Sequence, residues 1–281
     1  MATAKEGKDI FMKKTFVAML CGLLAVVAGS PAFAAAGNVA YTVHNMSNYW
    51  PLGDGLDGRY IKSKGEDQIC VFCHTPHNAQ PNRPLWNKVM PTQAFNMYTS
   101  SPTLSSIARL ATAPSAESLL CLSCHDGRTA INVLHNTTNP NAVPAGSNKV
   151  VDLGTIGDAT QYTIGDFSFG DGSLYGPNLG KIPGDKNYGG NLTNDHPISF
   201  SYKDAQAEKP TQLNDPVDTR IRFYGGATKR IECGSCHDPH VNYGADRAGN
   251  TWADGGADPT LKPFLRMGNK DSALCFACHN K

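Results

Sequence analysis

Four copies of the pattern Cys-x-x-Cys-His carry the most specific chemical signal in this chain, and we call them the first to fourth motifs in chain order. The pattern is typical of covalent haem attachment, in which two thiols bond the vinyl groups and the next histidine binds the iron. Eight of the nine cysteines lie in these motifs. Their thiols are those of Cys70 and Cys73, Cys121 and Cys124, Cys233 and Cys236, and Cys275 and Cys278.

Other uses of paired cysteines explain less of this pattern. Two Cys-x-x-Cys pairs can supply a four-thiolate zinc site, and a single pair can form a disulfide or a redox dithiol. None of these uses requires a histidine after every pair. The histidine at all four positions therefore favours four covalently attached c-type haems as the cofactors.

Each iron takes one axial ligand from its motif and needs a second one from elsewhere. The four motif histidines are His74, His125, His237 and His279. Five further histidines can supply the distal ligands, namely His44, His77, His135, His196 and His240. Bis-histidine ligation of every iron is therefore arithmetically possible. A methionine ligand stays an alternative, from Met46, Met90, Met97 or Met267.

His77 and His240 each follow a motif histidine by three residues. Each is too close in sequence to reach the opposite face of the haem whose motif it follows, so we expect each to bind the iron of a neighbouring haem. One peptide segment would then hold two porphyrins nearly in contact. The alternative is that these histidines donate hydrogen bonds to haem propionates, but imidazole is a common metal ligand.

Three histidines remain for the last two distal positions. Pro197 biases His196 to an extended conformation, and we expect His196 to be a distal ligand, with a surface histidine as the alternative. His44 and His135 compete for the fourth position. We favour His44, because chain ends are free to be recruited, and His135 is then the spare histidine.

The elements that must position these residues repeat along the chain. In each half, a Cys-x-x-Cys-His-x-Pro-His string is followed by an acidic residue, Ser, any residue and Leu, directly before the next motif. This lead-in predicts a short helix that carries the second and the fourth motifs, capped by Ser115 or Asp271. Duplication of a two-haem unit is the simplest explanation.

The two halves are separated by residues 136–230, which contain no haem motif. Ten glycines among the 37 residues at 154–190 predict turns, irregular loops or short hairpins. We therefore expect a mostly irregular chain with short α-helices and few short strands, a haem-filled core and two paired-haem modules. The expected first module with its N-terminal arm is 35–135, the Gly/Asn-rich insertion with His196 is 136–230, and the second module is 231–281.

The first 34 residues read as a signal peptide for export. Lys13 and Lys14 precede a 13-residue apolar stretch at 16–28, and Ala-Phe-Ala at 32–34 offers a cleavage site. Met12 is the expected natural start, which makes residues 1–11 an extension. The apolar stretch is short for a bilayer, so no membrane span is expected. Because the net charge is only +1 and haem propionates add negative charge, no nucleic-acid partner is expected either.

The strings around the motifs resemble those of bacterial multihaem c-type cytochromes with doubled Cys-x-x-Cys-His motifs. They are Cys-x-x-Cys-His-Thr-Pro-His at 70–77, Cys-x-x-Cys-His-Asp-Pro-His at 233–240, Leu-Cys-Leu-Ser-Cys-His-Asp-Gly at 120–127 and Asn-Asp-His-Pro at 194–197. The resemblance covers most of 40–281. It implies haem attachment outside the cytoplasmic membrane, in the periplasm, outside the cell or at the cell surface.

The haem count, the export signal and the N-terminal histidine also resemble the extracellular tetrahaem cytochromes of metal-respiring bacteria, which polymerise into conductive filaments. That resemblance implies electron transfer to redox partner proteins or extracellular acceptors. It also implies a homopolymer in which His44 binds a haem of the next subunit.

Electron transfer along closely stacked bis-histidine haems is the function we expect, without chemistry on a bound substrate and so without enzyme activity. The alternative is a multihaem reductase with one open iron, which usually needs basic or tyrosine side chains around that iron to bind an anion and deliver protons. Lys229 and Arg230 precede the third motif, but they can equally pair with propionates. A third alternative is a structural role as a surface or filament component.

Overall fold

The computed structural model describes residues 39–51, 62–63, 65–79, 83–126, 129, 131, 133–136, 149–150, 191–215, 218, 220–243 and 257–280. All nine histidines and all eight motif cysteines are among them. These residues belong to one compact unit, Ala36–Lys281. The predicted signal peptide and the glycine-rich stretch at 154–190 lie outside the described residues.

Short helices and short strands are joined by irregular chain, as expected. The α-helices are α1 (Ser106–Arg109), α2 (Ala116–His125), α3 (Tyr202–Glu208), α4 (Cys233–Cys236) and α5 (Ala273–Phe276). Single turns of 3-10 helix cover Val39–Tyr41, Ile69–Phe72, Gly226–Thr228, Pro259–Leu261 and Lys270–Ser272. The strands are β1 (Val133–Leu134), β2 (Lys149–Val150), β3 (Phe200–Ser201) and β4 (Arg230–Ile231).

The strands form two antiparallel pairs. β1 pairs with β2, with Val133 opposite Val150. β3 pairs with β4, with Phe200 opposite Ile231. β3 lies within the predicted insertion, and β4 begins at its last residue, just before the third motif. The described part of that insertion thus contains β2, β3 and the helix α3.

The helix α2 carries the second motif, as its lead-in predicts. Ser115 is the extended N-cap residue, and its hydroxyl donates to Glu117 Oε2 at 3.0 Å. A carboxylate in the first turn is favourable because it faces the positive end of the helix dipole. Leu122 is fully buried against Phe95, Met97 and Leu192. Burial of that side chain contributes about 1.5–3 kcal/mol.

The helix at the fourth motif begins later than predicted. α5 starts at Ala273, and its N-cap is Ser272. Asp271 lies in the preceding 3-10 turn with φ 53°. Ser272 also has positive φ, 62°, so the first helical residue is Ala273 and the N-cap is Ser272. The prediction that Asp271 caps this helix was therefore wrong.

Buried apolar side chains form separate small clusters in the described part of the chain. One contains Met46, Val71, Phe72 and Leu134, and another contains Phe95, Met97, Leu122 and Leu192. A third consists of Val241, Tyr243 and Leu261. Each cluster lies beside a motif or its flanking chain.

None of the helices that the structure describes has the length and hydrophobicity that a membrane span requires.

Candidate functional site

The histidines of three motifs are held by backbone bridges to a distant segment. His74 bridges Trp86, His237 bridges Leu265, and His279 bridges Leu213, all antiparallel. The remaining motif histidine, His125, is the last residue of α2. Regular secondary structure or a bridge therefore fixes the backbone of every motif histidine.

The bridges of the first and third motifs repeat one another. The N–H of Thr75 donates to the carbonyl of Leu85 at 2.9 Å, and the N–H of Asp238 donates to that of Phe264 at 2.8 Å. Leu85 and Phe264 both have positive φ, 63° and 60°. The matched segments are Arg83-Pro84-Leu85-Trp86 and Lys262-Pro263-Phe264-Leu265. This three-dimensional repeat supports duplication of a module.

The sequence contains a signal for this repeat that the motif spacing does not reveal. A basic residue, proline and a large apolar residue recur in both segments. Pro84 lies ten residues after His74, but Pro263 lies 26 residues after His237. Because the intervening loops differ in length, the repeat is visible only when each motif is compared with its bridging segment.

Three motif histidines each face a second histidine. A metal ion binds an imidazole nitrogen at about 2.0 Å, so two imidazoles on opposite sides of one ion have ring centres about 6.3 Å apart. The observed centre-to-centre distances are 6.4 Å for His74 and His240, 6.1 Å for His125 and His44, and 6.2 Å for His279 and His196. The spacing of all three pairs therefore fits one iron between two imidazoles.

The ring planes differ among the three pairs. Those of His74 and His240 are nearly parallel, at 8°. The planes cross at 79° for His125 with His44 and at 69° for His279 with His196.

The other ring nitrogen of several histidines is already engaged. A backbone carbonyl only accepts hydrogen bonds, so a histidine that contacts one through Nδ1 carries its proton there and presents the Nε2 lone pair. Metal-binding histidines usually have such a partner. The Nδ1 donors and their carbonyl acceptors are His44 to Pro239 at 3.3 Å, His196 to Pro197 at 2.8 Å and His237 to Pro263 at 3.0 Å.

His240 differs because its acceptor is a carboxylate. Its Nδ1 lies 2.9 Å from Asp238 Oδ1, and the other oxygen of Asp238 is 3.1 Å from Arg266 Nη1. The hydrogen bond from His240 is the largest cause that lowers the pKa of Asp238, to about 2. Asp238 is therefore ionised at neutral pH.

Burial favours the neutral form of four other histidines. It lowers the pKa of His44 to about 4, with the nearby His125 as the next cause. Burial also lowers the pKa of His74, His196 and His237.

His44 is fixed within the same chain as its partner. Its ring stacks on Phe264 at 4.3 Å and 24°, and it contacts Pro239 and faces His125 as described above. The N-terminal arm thus reaches the bridging segment and the His-x-Pro-His loop of the second module. This placement brings His44 to His125 of the same chain, whereas the resemblance to filament-forming cytochromes implies a partner for His44 in a neighbouring subunit.

His77 and His135 are the two other histidines that the sequence offers as distal ligands. The structure brings no second imidazole against His237 in the described part of the chain, and the side chain of His77 is exposed. The N–H of His135 donates to the carbonyl of Asn87 at 2.9 Å, directly after β1. Binding of an iron by His77, and the coordination of every other named histidine, stay predictions.

The motif thiols neighbour one another in chain order. Burial raises the pKa of Cys73 to about 12, and Cys124 is the next cause. The thiols of Cys121 and Cys233 are within hydrogen-bonding distance. Burial likewise raises the pKa of Cys236 to about 11, and Cys278 is the next cause. The first motif thus adjoins the second, the second adjoins the third, and the third adjoins the fourth.

A buried polar network connects the second motif to the third. Glu232, whose side chain is fully buried, accepts hydrogen bonds at Oε2 from Ser118 at 2.7 Å and Ser199 at 2.8 Å. Its Oε1 accepts from Arg230 Nε at 2.9 Å, and Arg230 Nη2 also contacts Glu117 at 2.8 Å. These groups hold α2 against α4. The sequence pattern gave no indication of this network, because its members are far apart along the chain.

A buried lysine lies between the first and second motifs. Lys88 is fully buried and donates from Nζ to the carbonyls of Ile131 at 2.7 Å and Val133 at 2.8 Å. Burial lowers its pKa, and the thiols of Cys124 and Cys73 oppose that shift. The amine of Lys88 therefore lies close to thiols of both motifs.

The structure gives little support to a methionine as a distal iron ligand. Met46 and Met97 pack inside two of the apolar clusters. Met267 is buried and Met90 is partly buried. The histidine pairs, by contrast, have the spacing that an iron requires.

In comparisons with known proteins, no family model matches the chain, and no curated protein is significantly similar to it.

Proposed function

We propose that this protein is a tetrahaem c-type cytochrome that transfers electrons along closely spaced bis-histidine haems. One observation carries the proposal. Three of the four motif histidines face a second histidine at 6.1–6.4 Å, which is the separation that one iron between two imidazoles requires. In all three pairs the distal partner lies more than 80 residues from the motif histidine in sequence, so local chain geometry does not explain the facing.

In this proposal the cysteine pairs of the four motifs hold the haems, and the motif histidines are the proximal ligands. The distal ligands are His240 for the first motif, His44 for the second and His196 for the fourth. Each haem supplies a one-electron centre when bound. Contacts through Nδ1 orient four of these imidazoles, those of His44, His196, His237 and His240. Burial favours the neutral form of His44, His74, His196 and His237.

His77 is the proposed distal ligand for the third motif. The support is symmetry between the modules. His240, which follows the third motif by three residues, faces the histidine of the first motif, and His77 has the equivalent position after the first motif. If each module supplies a distal ligand to the other, His77 binds the iron at His237. His135 is then the histidine that binds no iron.

Haem also accounts for the distribution of apolar side chains. The described clusters have three or four buried members each and are separate from one another. Four porphyrins with their large apolar faces would complete the core between the clusters. The order of the motif thiols supports a continuous array of four haems.

A multihaem reductase is the second candidate, and one observation favours it. His237 has no facing imidazole in the described part of the chain, so its iron is the one most open to a substrate. The two candidates differ in the ligation of that single iron.

The experiment is a carbon monoxide titration of the dithionite-reduced holoprotein, together with its intact mass. The relay predicts a mass that exceeds the processed polypeptide by four haems and a spectrum that carbon monoxide leaves unchanged. Carbon monoxide binding by one haem supports the reductase. A colourless product from a host that matures c-type cytochromes overturns both.

Export, redox partners and filaments are further parts of the proposal. The predicted signal peptide supports a periplasmic, extracellular or cell-surface location with redox partner proteins or extracellular electron acceptors. A homopolymer through His44 requires the N-terminal arm to exchange His125 of its own chain for that of another copy. Electron micrographs that show only monomers, with an unchanged haem spectrum for His44→Ala, would exclude this polymer.

A further inference from the structure

We propose that Asp238, a residue of the second module, lowers the reduction potential of the haem attached at the first motif. Asp238 acts through His240, so it is a positioning and electrostatic residue rather than a ligand. This inference rests on the proposed ligation of that haem by His74 and His240.

The geometry places Asp238 directly behind the distal imidazole. Its Oδ1 accepts hydrogen bonds from His240 Nδ1 at 2.9 Å and from the His240 backbone N–H at 3.1 Å. Its Oδ2 contacts Arg266 Nη1 at 3.1 Å, and Arg266 Nε donates to the carbonyl of Gly234 at 2.7 Å. The carboxylate is therefore fixed on both sides, and the imidazole it holds faces His74 across 6.4 Å.

No other described distal histidine has this arrangement. His44 and His196 donate from Nδ1 to neutral backbone carbonyls. At the position equivalent to Asp238, the first module has Thr75, whose hydroxyl donates to the carbonyl of His77 at 2.8 Å. The difference between Asp and Thr thus separates two modules that are otherwise alike around this loop.

An ionised acceptor changes how strongly an imidazole donates electrons. A hydrogen bond to a carboxylate is stronger than one to a carbonyl and draws the Nδ1 proton away from the ring. The ring then becomes a more basic ligand through Nε2. A more basic ligand stabilises the ferric state relative to the ferrous state, so addition of one electron becomes less favourable. Hydrogen bonding to the axial ligand is one of the means by which a protein sets a haem potential.

The expected shift in midpoint potential follows from the usual effect of removing a carboxylate that accepts a hydrogen bond from a metal-bound histidine. Removal of a carboxylate behind a metal-bound histidine typically changes affinity by about 10- to 100-fold. If the ferric state loses about tenfold more than the ferrous state, the midpoint potential rises by about 59 mV for a one-electron couple. Arg266 partly neutralises the carboxylate, which favours this lower end of the range.

The test is spectroelectrochemical titration of the holoprotein with Asp238→Asn. Asparagine keeps an oxygen acceptor for His240 and removes the charge. The control is Asp204→Asn, which removes the same charge from an exposed position in α3. Electron paramagnetic resonance identifies the affected haem, because the nearly parallel rings of His74 and His240 give a low-spin ferric signal different from that of crossed rings.

We expect Asp238→Asn to raise one of the four midpoint potentials by about 59 mV and to perturb the signal of the parallel-ring haem. The control should leave all four potentials within error. Unchanged potentials in Asp238→Asn, with four low-spin haems present, would overturn this inference and leave the proposed function standing. A wild-type protein without haem would overturn the proposed function itself.

A second variant tests the inference if Asp238→Asn displaces His240 from the iron. If Asp238→Asn produces a high-spin signal, the titration is repeated with Arg266→Gln, which keeps the carboxylate and removes its neutralising cation. The same midpoint should then fall, and a midpoint that does not move would refute the role of Asp238.

Discussion

Glu232→Gln is the sharpest test of the junction between the second and third motifs. The glutamine has the same shape, but it removes the charge that accepts from Ser118, Ser199 and Arg230 at 2.7–2.9 Å. It also brings an amide donor against hydroxyls that already donate. Breaking a buried ion pair costs about 3–5 kcal/mol. Because Arg230 keeps its ion pair with Glu117 and is partly exposed, we expect the free energy of unfolding to fall by about 3 kcal/mol, the lower end of this range.

The assay is denaturant unfolding of the holoprotein, followed by circular dichroism at equal haem content. The matched control is Asp218→Asn, which breaks a pair of similar geometry, 2.6 Å to Arg220, at the surface. Exposed pairs contribute at most about 1 kcal/mol. A thermal scan should show a fall of about 6–12 °C for Glu232→Gln. A loss no larger than that of the control would refute the reasoning that this network holds the two motifs together.

Three other predictions test the site and its surroundings. Replacing both Cys121 and Cys124 by serine should lower the intact mass by one haem and destabilise the protein, because cofactor binding and folding are coupled; a mass with four haems would contradict the attachment. His240→Ala should perturb the spectrum of the haem at the first motif. A spectral change confined to the haem at the third motif would show that His240 does not bind the iron at His74. Asp195→Asn should stabilise the protein above pH about 6, because burial raises the pKa of that carboxyl to about 6 and its ionisation opposes folding above this pH. The gain in unfolding temperature should shrink as the pH falls through about 6, and a gain independent of pH would contradict this cause.

Features that depend on local spacing were predictable from the sequence. The lead-in before the second motif predicts α2 correctly, and Ser115 is its N-cap. The mostly irregular chain with short helices and strands also follows from the composition. At the fourth motif the same lead-in placed the helix start too early, because Ser272 adopts a left-handed conformation that the sequence does not signal.

Features that depend on distant contacts were not predictable. Nothing local to His44 indicates that its ring stacks on Phe264 and faces His125. Glu232 precedes a motif cysteine in sequence, but its serine partners come from α2 and from the chain before β3. The choice between His44 and His135 could therefore be argued only from freedom of the chain ends.

The contact between the thiols of Cys121 and Cys233 has a consequence for biogenesis. Exported proteins mature in an oxidising environment, where adjacent thiols readily become crosslinked. A polypeptide that became compact before haem attachment would form a disulfide between Cys121 and Cys233, which belong to two different motifs. In the proposed exported cytochrome, one such oxidation would disable both attachment sites, so haem attachment before the chain becomes compact would protect it.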